Sequence, residues 1–180
     1  MKNTLKNQTK KATNYILSSN TKEPLTHLIV AMTQNRVIGN AGTIPWKIKE
    51  DMKLFKEKTT GNTVLMGKNT WNSLPTEFRP LPNRNNIIVS TSLEEQNGAI
   101  VCKTIEEGIT EAKKLGKEIY CIGGGQIYSA MLPFANVLDI SWVKKEYSGD
   151  TKFPEINLNE WKETEKKEFT EFVYKKYERK

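Results

Sequence analysis

Short apolar runs alternate with helical patterns along most of the chain, and this alternation limits the possible folds more than any other feature. Residues 28–32 (LIVAM) contain no polar side chain, which is typical of a central strand covered on both faces. Strands are also predicted at 63–66, 87–89, 99–102, 119–122 and 137–143, helices at 48–58, 70–74, 105–115 and 127–132, and a late antiparallel strand at 169–177. Strands separated by helices predict a single α/β domain with a mostly parallel sheet and helices on both faces.

Composition excludes several kinds of site. The chain has 180 residues but only two cysteines, Cys102 and Cys121, and one histidine, His27. These cannot form a disulfide framework or a Cys/His zinc site, so we expect no metal. His27 precedes the first predicted strand, so catalysis by a histidine is nearly excluded. No apolar run approaches the roughly 20 residues that span a bilayer. The cysteine usage is typical of a reducing compartment, so we expect a cytoplasmic protein without membrane contact.

The first 26 residues differ from the rest of the chain. They contain five lysines and one glutamate, a net charge of +4 out of a total of +7. A polar, basic composition predicts a flexible extension at 1–26, ahead of a domain at 27–180. A transit peptide is an alternative, although the segment lacks arginine. Beyond residue 47, basic and acidic residues are interleaved without an aromatic-lined basic stripe, so we expect no nucleic-acid partner.

Asp51 lies beside the apolar stripe of the first predicted helix. Ile48, Met52 and Phe55 form that stripe, and Asp51 projects from its edge between them. No basic side chain lies on the stripe to pair with Asp51. A half-buried carboxylate of this kind suits a ligand cation or an amidine-like group. The alternative is an aspartate stabilised by the helix dipole in the first turn.

Glycines follow two predicted strands where a helix begins. One turn contains residues 123–125 (GGG) and the other residues 66–70 (MGKNT). Backbone amides in such turns can approach phosphate groups. The spacing is not Gly-x-Gly-x-x-Gly, so a simple tight turn at 123–125 stays possible, and Thr70 could be only an N-cap. Two such helix starts predict a long, doubly charged ligand, and the hydroxyls at 90–92 (STS) suit a phosphate ester.

Five motifs in this order resemble the dihydrofolate reductase family. They are Ile44-Pro45-Trp46 with Asp51, then 66–71 (MGKNTW), 81–86 (LPNRNN), 122–128 (IGGGQIY) and 149–154 (GDTKFP). The resemblance covers residues 27–178. It implies a dihydrofolate reductase-like fold with a central eight-stranded, mostly parallel sheet and flanking helices. It also implies a monomeric oxidoreductase of one-carbon metabolism, an antifolate target, that uses NADPH to reduce 7,8-dihydrofolate to tetrahydrofolate.

The same resemblance implies roles for individual residues at the substrate site. Asp51 binds the N3 and 2-amino edge of the pterin through a bidentate contact, and Ser141 bonds Asp51. Arg84 binds the α-carboxylate of the glutamate, and Trp46 lies over the site and helps to hold an ordered water. Tyr128, at the border of the nicotinamide, is the fourth residue of the catalytic group, with Asp51, Ser141 and Trp46. The pterin and aminobenzoyl pocket is lined by Ile29, Val30, Met52, Phe55, Leu74, Leu81 and Ile122.

Cofactor contacts are implied as well. The nicotinamide is bordered by Ala31, Ile38, Gly39 and Tyr128, and the phosphates and ribose are held by Gly67, Lys68, Asn69, Thr70, Gly123, Gly124, Gly125, Gln126 and Ile127. The 2′-phosphate is bound by Lys68 with Ser90, Thr91 and Ser92. In the family, a cis peptide joins Gly123 to Gly124. The loop at 33–48 closes over the site, and Asp150 bonds its backbone near Asn40.

Some residues differ from the family pattern, and two alternative functions remain to be compared with it. Lys68 and Gln126 stand where the family often has arginine, and Ser141 where threonine is usual. A pyrimidine reductase of riboflavin synthesis would keep the fold and the glycine turn, but Asp51 and Arg84 argue against it. A basic, non-enzymatic nucleic-acid binder would use the extension and scattered lysines, yet it does not account for Asp51 or the glycine turn.

Overall fold

A computed structural model of the protein describes residues 22–180. The predicted extension at 1–26 lies outside the described residues as far as residue 21. The strands are β1 (Thr26–Met32), β2 (Val37–Gly39), β3 (Thr63–Gly67), β4 (Asn85–Val89), β5 (Ala99–Cys102), β6 (Ile119–Cys121), β7 (Val137–Val143), β8 (Thr151–Lys152), β9 (Trp161–Glu168) and β10 (Phe172–Arg179). The α-helices are α1 (Lys49–Thr59), α2 (Lys68–Ser73), α3 (Ile105–Lys114) and α4 (Gly125–Met131).

Eight strands form the central sheet in the order β5-β4-β3-β6-β1-β7-β10-β9. Every pair from β5 to β7 is parallel, whereas β10 runs antiparallel to both β7 and β9. The prediction of a mostly parallel eight-stranded sheet with an antiparallel strand near the C-terminus is therefore confirmed. Strands β2 and β8 pair separately as a two-stranded sheet.

Helices cover both faces of the sheet because successive side chains of a strand point to opposite sides. On one face, Leu28 and Met32 of β1 pack in a cluster with Ala112 of α3 and Met131 of α4. On the other face, Ile29 belongs to a cluster that includes side chains of α1 and α2. Strand β1 is thus buried on both sides, as its apolar run predicts, and most of the side chains predicted to line the pterin pocket lie on the face under α1 and α2.

The structure differs from the sequence-based elements at a few places. Strand β9 was not predicted, because seven of its eight side chains are exposed and only Trp161 is buried. Such a strand has no apolar alternation and is recognisable only from its pairing with β10. Helix α2 begins at Lys68 with Gly67 as N-cap, so the possible N-cap role of Thr70 is wrong. His27 lies inside β1 rather than ahead of it.

Among residues 22–180, no helix is long and apolar enough to cross a membrane. The same part of the chain contains no group of three or more His, Cys, Asp or Glu side chains arranged to hold a metal ion.

Candidate functional site

Asp51 is half-buried in the first turn of α1, where the carboxylate faces the sheet. Burial raises the pKa of Asp51 above its usual value, and a hydrogen bond with the Ser141 side chain opposes that shift. Ser141 itself is buried on β7. Within the part of the chain that the structure describes, no lysine, arginine or histidine nitrogen lies within 4.0 Å of this carboxylate. The carboxylate therefore combines partial desolvation with a free charge, which suits a cationic or amidine-like ligand.

An apolar wall adjoins Asp51. One hydrophobic cluster contains the predicted pocket residues Ile29, Phe55, Leu74, Leu81 and Ile122. These side chains come from β1, α1, the segment after α2, the turn before β4 and the end of β6, so only the fold brings them together.

Two predicted pocket residues are placed differently from that wall. The side chain of Val30 lies on the opposite face of the sheet, in the cluster that contains Tyr128, because neighbouring residues of a strand point to opposite faces. Only the backbone of Val30 faces the side of Ile29. The side chain of Met52 is 59% exposed, so it stands at the rim of the wall.

Arg84 lies at the other end of α1 from Asp51. Its Nε donates to Thr59 Oγ1 (2.8 Å) and its Nη1 to the Pro82 carbonyl (3.0 Å). The guanidinium also lies 5.8 Å from the centre of the Phe55 ring. Burial lowers the pKa of Arg84. No carboxylate within residues 22–180 forms a salt bridge with Arg84. The half-buried carboxylate of Asp51 and the fixed guanidinium of Arg84 therefore lie at opposite ends of α1, with Phe55 between them.

The two glycine turns are adjacent in space. Gly67 N donates to the Gly123 carbonyl at 2.8 Å, and the peptide between Gly123 and Gly124 is cis, as the family resemblance implies. A Cβ added at Gly67 would lie 2.7 Å from Cγ1 of Ile127, and one added at Gly124 would lie 3.5 Å from Thr70 Oγ1. Side chains at Gly67 would therefore fill the cradle that the two turns form. Of the other predicted residues here, Asn69 and Gln126 are exposed and Gly125 is half-buried.

Lys68 and the hydroxyl run after β4 lie beside this cradle. Lys68 Nζ donates to Ser92 Oγ at 3.0 Å, and Thr91 and Ser92 are both exposed. Ser90 is buried, and its Oγ accepts hydrogen bonds from the backbone amides of Ser92 and Leu93. The Ser90 hydroxyl thus closes the local turn, whereas Lys68 and Ser92 present polar groups to the surface.

Tyr128 joins α4 to β1. Its hydroxyl donates to the Ile29 carbonyl at 2.7 Å, and burial raises its pKa well above the usual value. Ile38 and Gly39 lie half-buried on β2, and Ala31 lies half-buried on β1. A Cβ added at Gly125 would lie 4.0 Å from Ile38 Cδ1. The predicted nicotinamide border therefore lies where β1, β2 and the start of α4 meet.

The loop between β2 and α1 is held by the turn before β8. Ala41 N donates to Asp150 Oδ2 at 2.9 Å, which confirms the contact predicted near Asn40. This hydrogen bond and one from Thr151 lower the pKa of Asp150. Trp46, at the other end of the loop, is buried, and its ring centre lies 5.2 Å from that of Tyr147.

One cluster was missed by the sequence analysis. Asp139 on β7 is 1% exposed and is the only buried acidic residue among the described residues. Its carboxylate lies 2.7 Å from His27 Nδ1 and 3.1 Å from Lys58 Nζ, and it accepts a hydrogen bond from the Tyr174 hydroxyl. The sequence does contain a signal for this cluster, because Asp139 is the single charged residue in the strand VLDISWV.

Comparisons with known proteins agree with this arrangement. A family model described as dihydrofolate reductase matches residues 25–179. The dihydrofolate reductase HdrB of Haloferax volcanii is 35% identical over 160 residues, which cover 85% of this chain and 82% of that protein. The dihydrofolate reductase of Haemophilus influenzae is 40% identical over 134 residues, covering 74% and 81%. A solved dihydrofolate reductase from Enterococcus faecalis, complexed with NADP(H) and RAB-propyl, has a TM-score of 0.78 at 30% identity, with 86% of this chain and 96% of that chain covered.

Proposed function

The chain belongs to the dihydrofolate reductase family and reduces 7,8-dihydrofolate to 5,6,7,8-tetrahydrofolate with NADPH. From this activity we propose the role of each residue in binding the substrate and the cofactor and in the reaction. The reaction supplies one-carbon metabolism. The observation that carries the proposal is the half-buried carboxylate of Asp51, hydrogen-bonded to Ser141 and without a basic partner among residues 22–180. A substrate with an amidine-like edge supplies the partner that the described chain does not.

Asp51 orients the pterin. Its two oxygens match the N3 and 2-amino edge, because parallel donors on a planar group favour a bidentate contact with a carboxylate. Ser141 holds the carboxylate at the orientation set by β7. The pterin and aminobenzoyl rings lie against the wall formed by Ile29, Phe55, Leu74, Leu81 and Ile122, with Met52 at the rim and the backbone of Val30 behind.

The reaction transfers a hydride to C6 of the pterin and a proton to the neighbouring N5. The nicotinamide of the cofactor, when bound, supplies the hydride for C6. Asp51 cannot reach N5 while it holds the N3 edge, so a water molecule gives the proton to N5 and Asp51 stabilises the protonated pterin electrostatically. Trp46 covers the site and helps to hold that water. Tyr128 fixes the Ile29 carbonyl at the nicotinamide border, where Ala31, Ile38 and Gly39 also lie.

Arg84 binds the α-carboxylate of the substrate glutamate. Its Nε and Nη1 are engaged by Thr59 and Pro82, which fixes the plane of the guanidinium. The remaining N–H groups can then donate to a carboxylate without a large loss of side-chain entropy. Asp51 and Arg84 thus bind opposite ends of the substrate.

The cradle of the two glycine turns fits the cofactor. The hydrogen bond from Gly67 to Gly123 holds the two turns together, and the absence of side chains at these glycines lets other backbone amides of the turns approach phosphates. The phosphates and ribose are held by Gly67, Asn69, Thr70, Gly123, Gly124, Gly125, Gln126 and Ile127. Lys68, with Ser92 and Thr91, binds the 2′-phosphate, while Ser90 shapes the turn that presents them.

The loop at 33–48 acts as a lid over the nicotinamide. The hydrogen bond from Ala41 to Asp150 supports a closed position, since it joins the loop tip to the turn before β8. Closure would exclude water from the reacting atoms.

For the chain as a whole, we propose a cytoplasmic monomer without a nucleic-acid or membrane partner. The interleaving of acidic and basic residues beyond residue 47 supports the absence of a nucleic-acid partner. The domain boundary at residues 26 and 27 is likewise a proposal, supported by the start of β1 at Thr26.

The test is an assay of NADPH oxidation with and without dihydrofolate. Asp51→Asn weakens two charge-assisted hydrogen bonds, so we expect kcat/KM near pH 7 to fall by about 10²-fold, with partial recovery at low pH, where substrate arrives protonated. Glu50→Gln is the matched control, because Glu50 is an exposed carboxylate in the same helical turn. An Asp51→Asn variant with the wild-type rate at every pH would contradict the assignment, and turnover of a ribosylaminopyrimidine in place of dihydrofolate would favour the riboflavin-pathway reaction.

A further inference from the structure

The buried cluster around Asp139 connects the C-terminal end of α1 to the sheet. Lys58 Nζ reaches Asp139 Oδ1 at 3.1 Å from the last turn of the helix. His27 Nδ1 lies 2.7 Å from Oδ2, and the Tyr174 hydroxyl donates to Oδ1. Burial disfavours the charged carboxylate, but the hydrogen bonds from His27 and Tyr174 and the charge of Lys58 outweigh burial and lower the pKa of Asp139. Asp139 is therefore an ionised group held from three sides.

Strand β7 holds α1 at two points. Asp51 and Lys58 are seven residues apart, which places them two turns apart on one face of the helix. Ser141 and Asp139 are two residues apart and lie on one face of β7. Ser141 contacts Asp51 at the first turn, and Asp139 contacts Lys58 at the last turn.

The end held by Lys58 is also the end that positions Arg84. Thr59, the next residue along the helix, is fully buried and accepts the Arg84 Nε hydrogen bond at 2.8 Å. A shift of this turn relative to the sheet would move Thr59 and with it the guanidinium. The Lys58–Asp139 contact thus sets where Arg84 stands relative to Asp51.

We propose that the ion pair between half-buried Lys58 and buried Asp139 is a positioning device for dihydrofolate, which keeps Asp51 and Arg84 at the separation that the two ends of the substrate require. This inference rests on the proposed roles of Asp51 and Arg84. Neither Lys58 nor Asp139 touches the substrate in this scheme.

A role in positioning explains an ion pair on a buried carboxylate better than stability alone. The desolvation of Asp139 and the partial desolvation of Lys58 offset much of their attraction, and well-packed apolar residues often stabilise a protein as much or more. What the pair adds is a fixed direction. His27 and Tyr174 occupy other sides of the Asp139 carboxylate, so Lys58 meets it from the side of α1, and a large shift of α1 over β7 would break that contact.

The test measures equilibrium binding of two ligands to Lys58→Met. This variant keeps the packing of the aliphatic stem and leaves Asp139 bonded to His27 and Tyr174. We expect the Kd for dihydrofolate to rise about tenfold, since a misplaced Arg84 would lose about one charge-assisted hydrogen bond to the substrate carboxylate. The Kd for 6-methyl-7,8-dihydropterin, which lacks the aminobenzoylglutamate, should change by less than about twofold, because this ligand uses only one of the two anchors.

Two control variants test whether the loss of a positive charge on α1, or a loss of stability, could by itself weaken dihydrofolate binding. Lys53→Met removes the same charge from the same helix at an exposed site. Leu138→Ala opens the core beside Asp139 but on the opposite face of β7, so it lowers Tm without moving α1. Both controls should bind dihydrofolate as the wild type does. Asp139→Asn is the second variant, and it should reproduce the ligand selectivity of Lys58→Met.

Three outcomes would overturn the inference: an unchanged Kd for dihydrofolate in Lys58→Met, an equal loss for both ligands, or the same selective loss in Leu138→Ala. Asp51→Asn in the same titrations keeps the two proposals apart. If Asp51→Asn binds both ligands as tightly as the wild type, the proposed function fails. If Asp51→Asn loses both ligands and Lys58→Met behaves like Lys53→Met, only the positioning role fails.

Discussion

A single methyl group added at Gly149 should slow catalysis, because it would displace the loop at 33–48 that closes over the nicotinamide. Gly149 precedes Asp150, the acceptor of the Ala41 amide. A Cβ at position 149 would lie 2.3 Å from the Gly39 carbonyl oxygen and 2.5 Å from Val37 Cγ1. The first of these partners is backbone, so it cannot turn away as a flexible side chain could. Gly149→Ala must therefore displace β2 and the loop that follows it from the turn before β8.

The size of the displacement follows from the contact distances. Ordinary contacts of a Cβ begin at 3.4 Å, so the two segments must separate by about 1 Å in a close-packed region. The hydrogen bond from Ala41 N to Asp150 Oδ2 measures 2.9 Å and would then exceed hydrogen-bonding distance. An error of about 1 Å in the groups that close over a site can lower a rate by about 10²-fold. We expect the hydride step of Gly149→Ala to slow by about 10- to 100-fold.

Pre-steady-state oxidation of NADPH, followed by stopped-flow fluorescence, measures this step separately from product release. Ser148→Ala is the control, since Ser148 is exposed in the same turn. Asp150→Ala removes the same loop contact, so the double variant Gly149→Ala, Asp150→Ala should be no slower than the slower single variant. A wild-type hydride rate in Gly149→Ala would contradict a role of this turn in closing the loop, and so would additive losses in the double variant.

Three further predictions concern the substrate and cofactor sites. Because burial raises the pKa of Asp51, the folded state binds this proton more tightly than the unfolded chain, so Asp51 favours folding at low pH and that contribution is lost as pH rises. Asp51→Asn should therefore raise Tm at pH 7, and the gain should vanish below about pH 4; a lower Tm at pH 7 would contradict this sign. Thr59→Val removes the acceptor of the Arg84 Nε, so steady-state assays should show KM for dihydrofolate rising about 3- to 10-fold with KM for NADPH unchanged, whereas Thr60→Val should change neither. Lys68→Met should raise KM for NADPH about tenfold and leave KM for NADH unchanged, because only NADPH carries the 2′-phosphate; equal effects on both cofactors would exclude that contact.

Local periodicity was enough to predict much of the fold. The helix at 48–58 and the strand at 137–143 follow from apolar spacing, and the structure has them at Lys49–Thr59 and Val137–Val143. The partial burial of Asp51 follows from its place at the edge of the helical stripe. Each of these inferences needs only residues within two or three turns, because the periods of helix and strand fix which side chains share a face.

Other features could not be predicted because their cause lies far away in the chain. Strand β9 has almost no apolar side chains and exists through its pairing with β10. Val30 differs in that its cause is local: the resemblance implies a role in the pocket, but the pleat of β1 turns its side chain to the face opposite Ile29. Lys58 falls off the centre of the helical stripe, and its partner Asp139 lies far along the chain, so local spacing does not predict their contact.

Short-range spacing and backbone freedom at glycine are enough to predict most of the helices and strands, the two glycine turns and the acid on α1. Which distant groups meet depends on how these elements pack. Gly67 contacts Gly123, Arg84 is fixed by Thr59, and Lys58 pairs with a buried carboxylate because the parallel sheet brings separate strands side by side and α1 packs across them. Packing selects the partner of each buried charge, because a charge removed from water is stable only where the fold supplies an opposite charge or hydrogen bonds at the right positions.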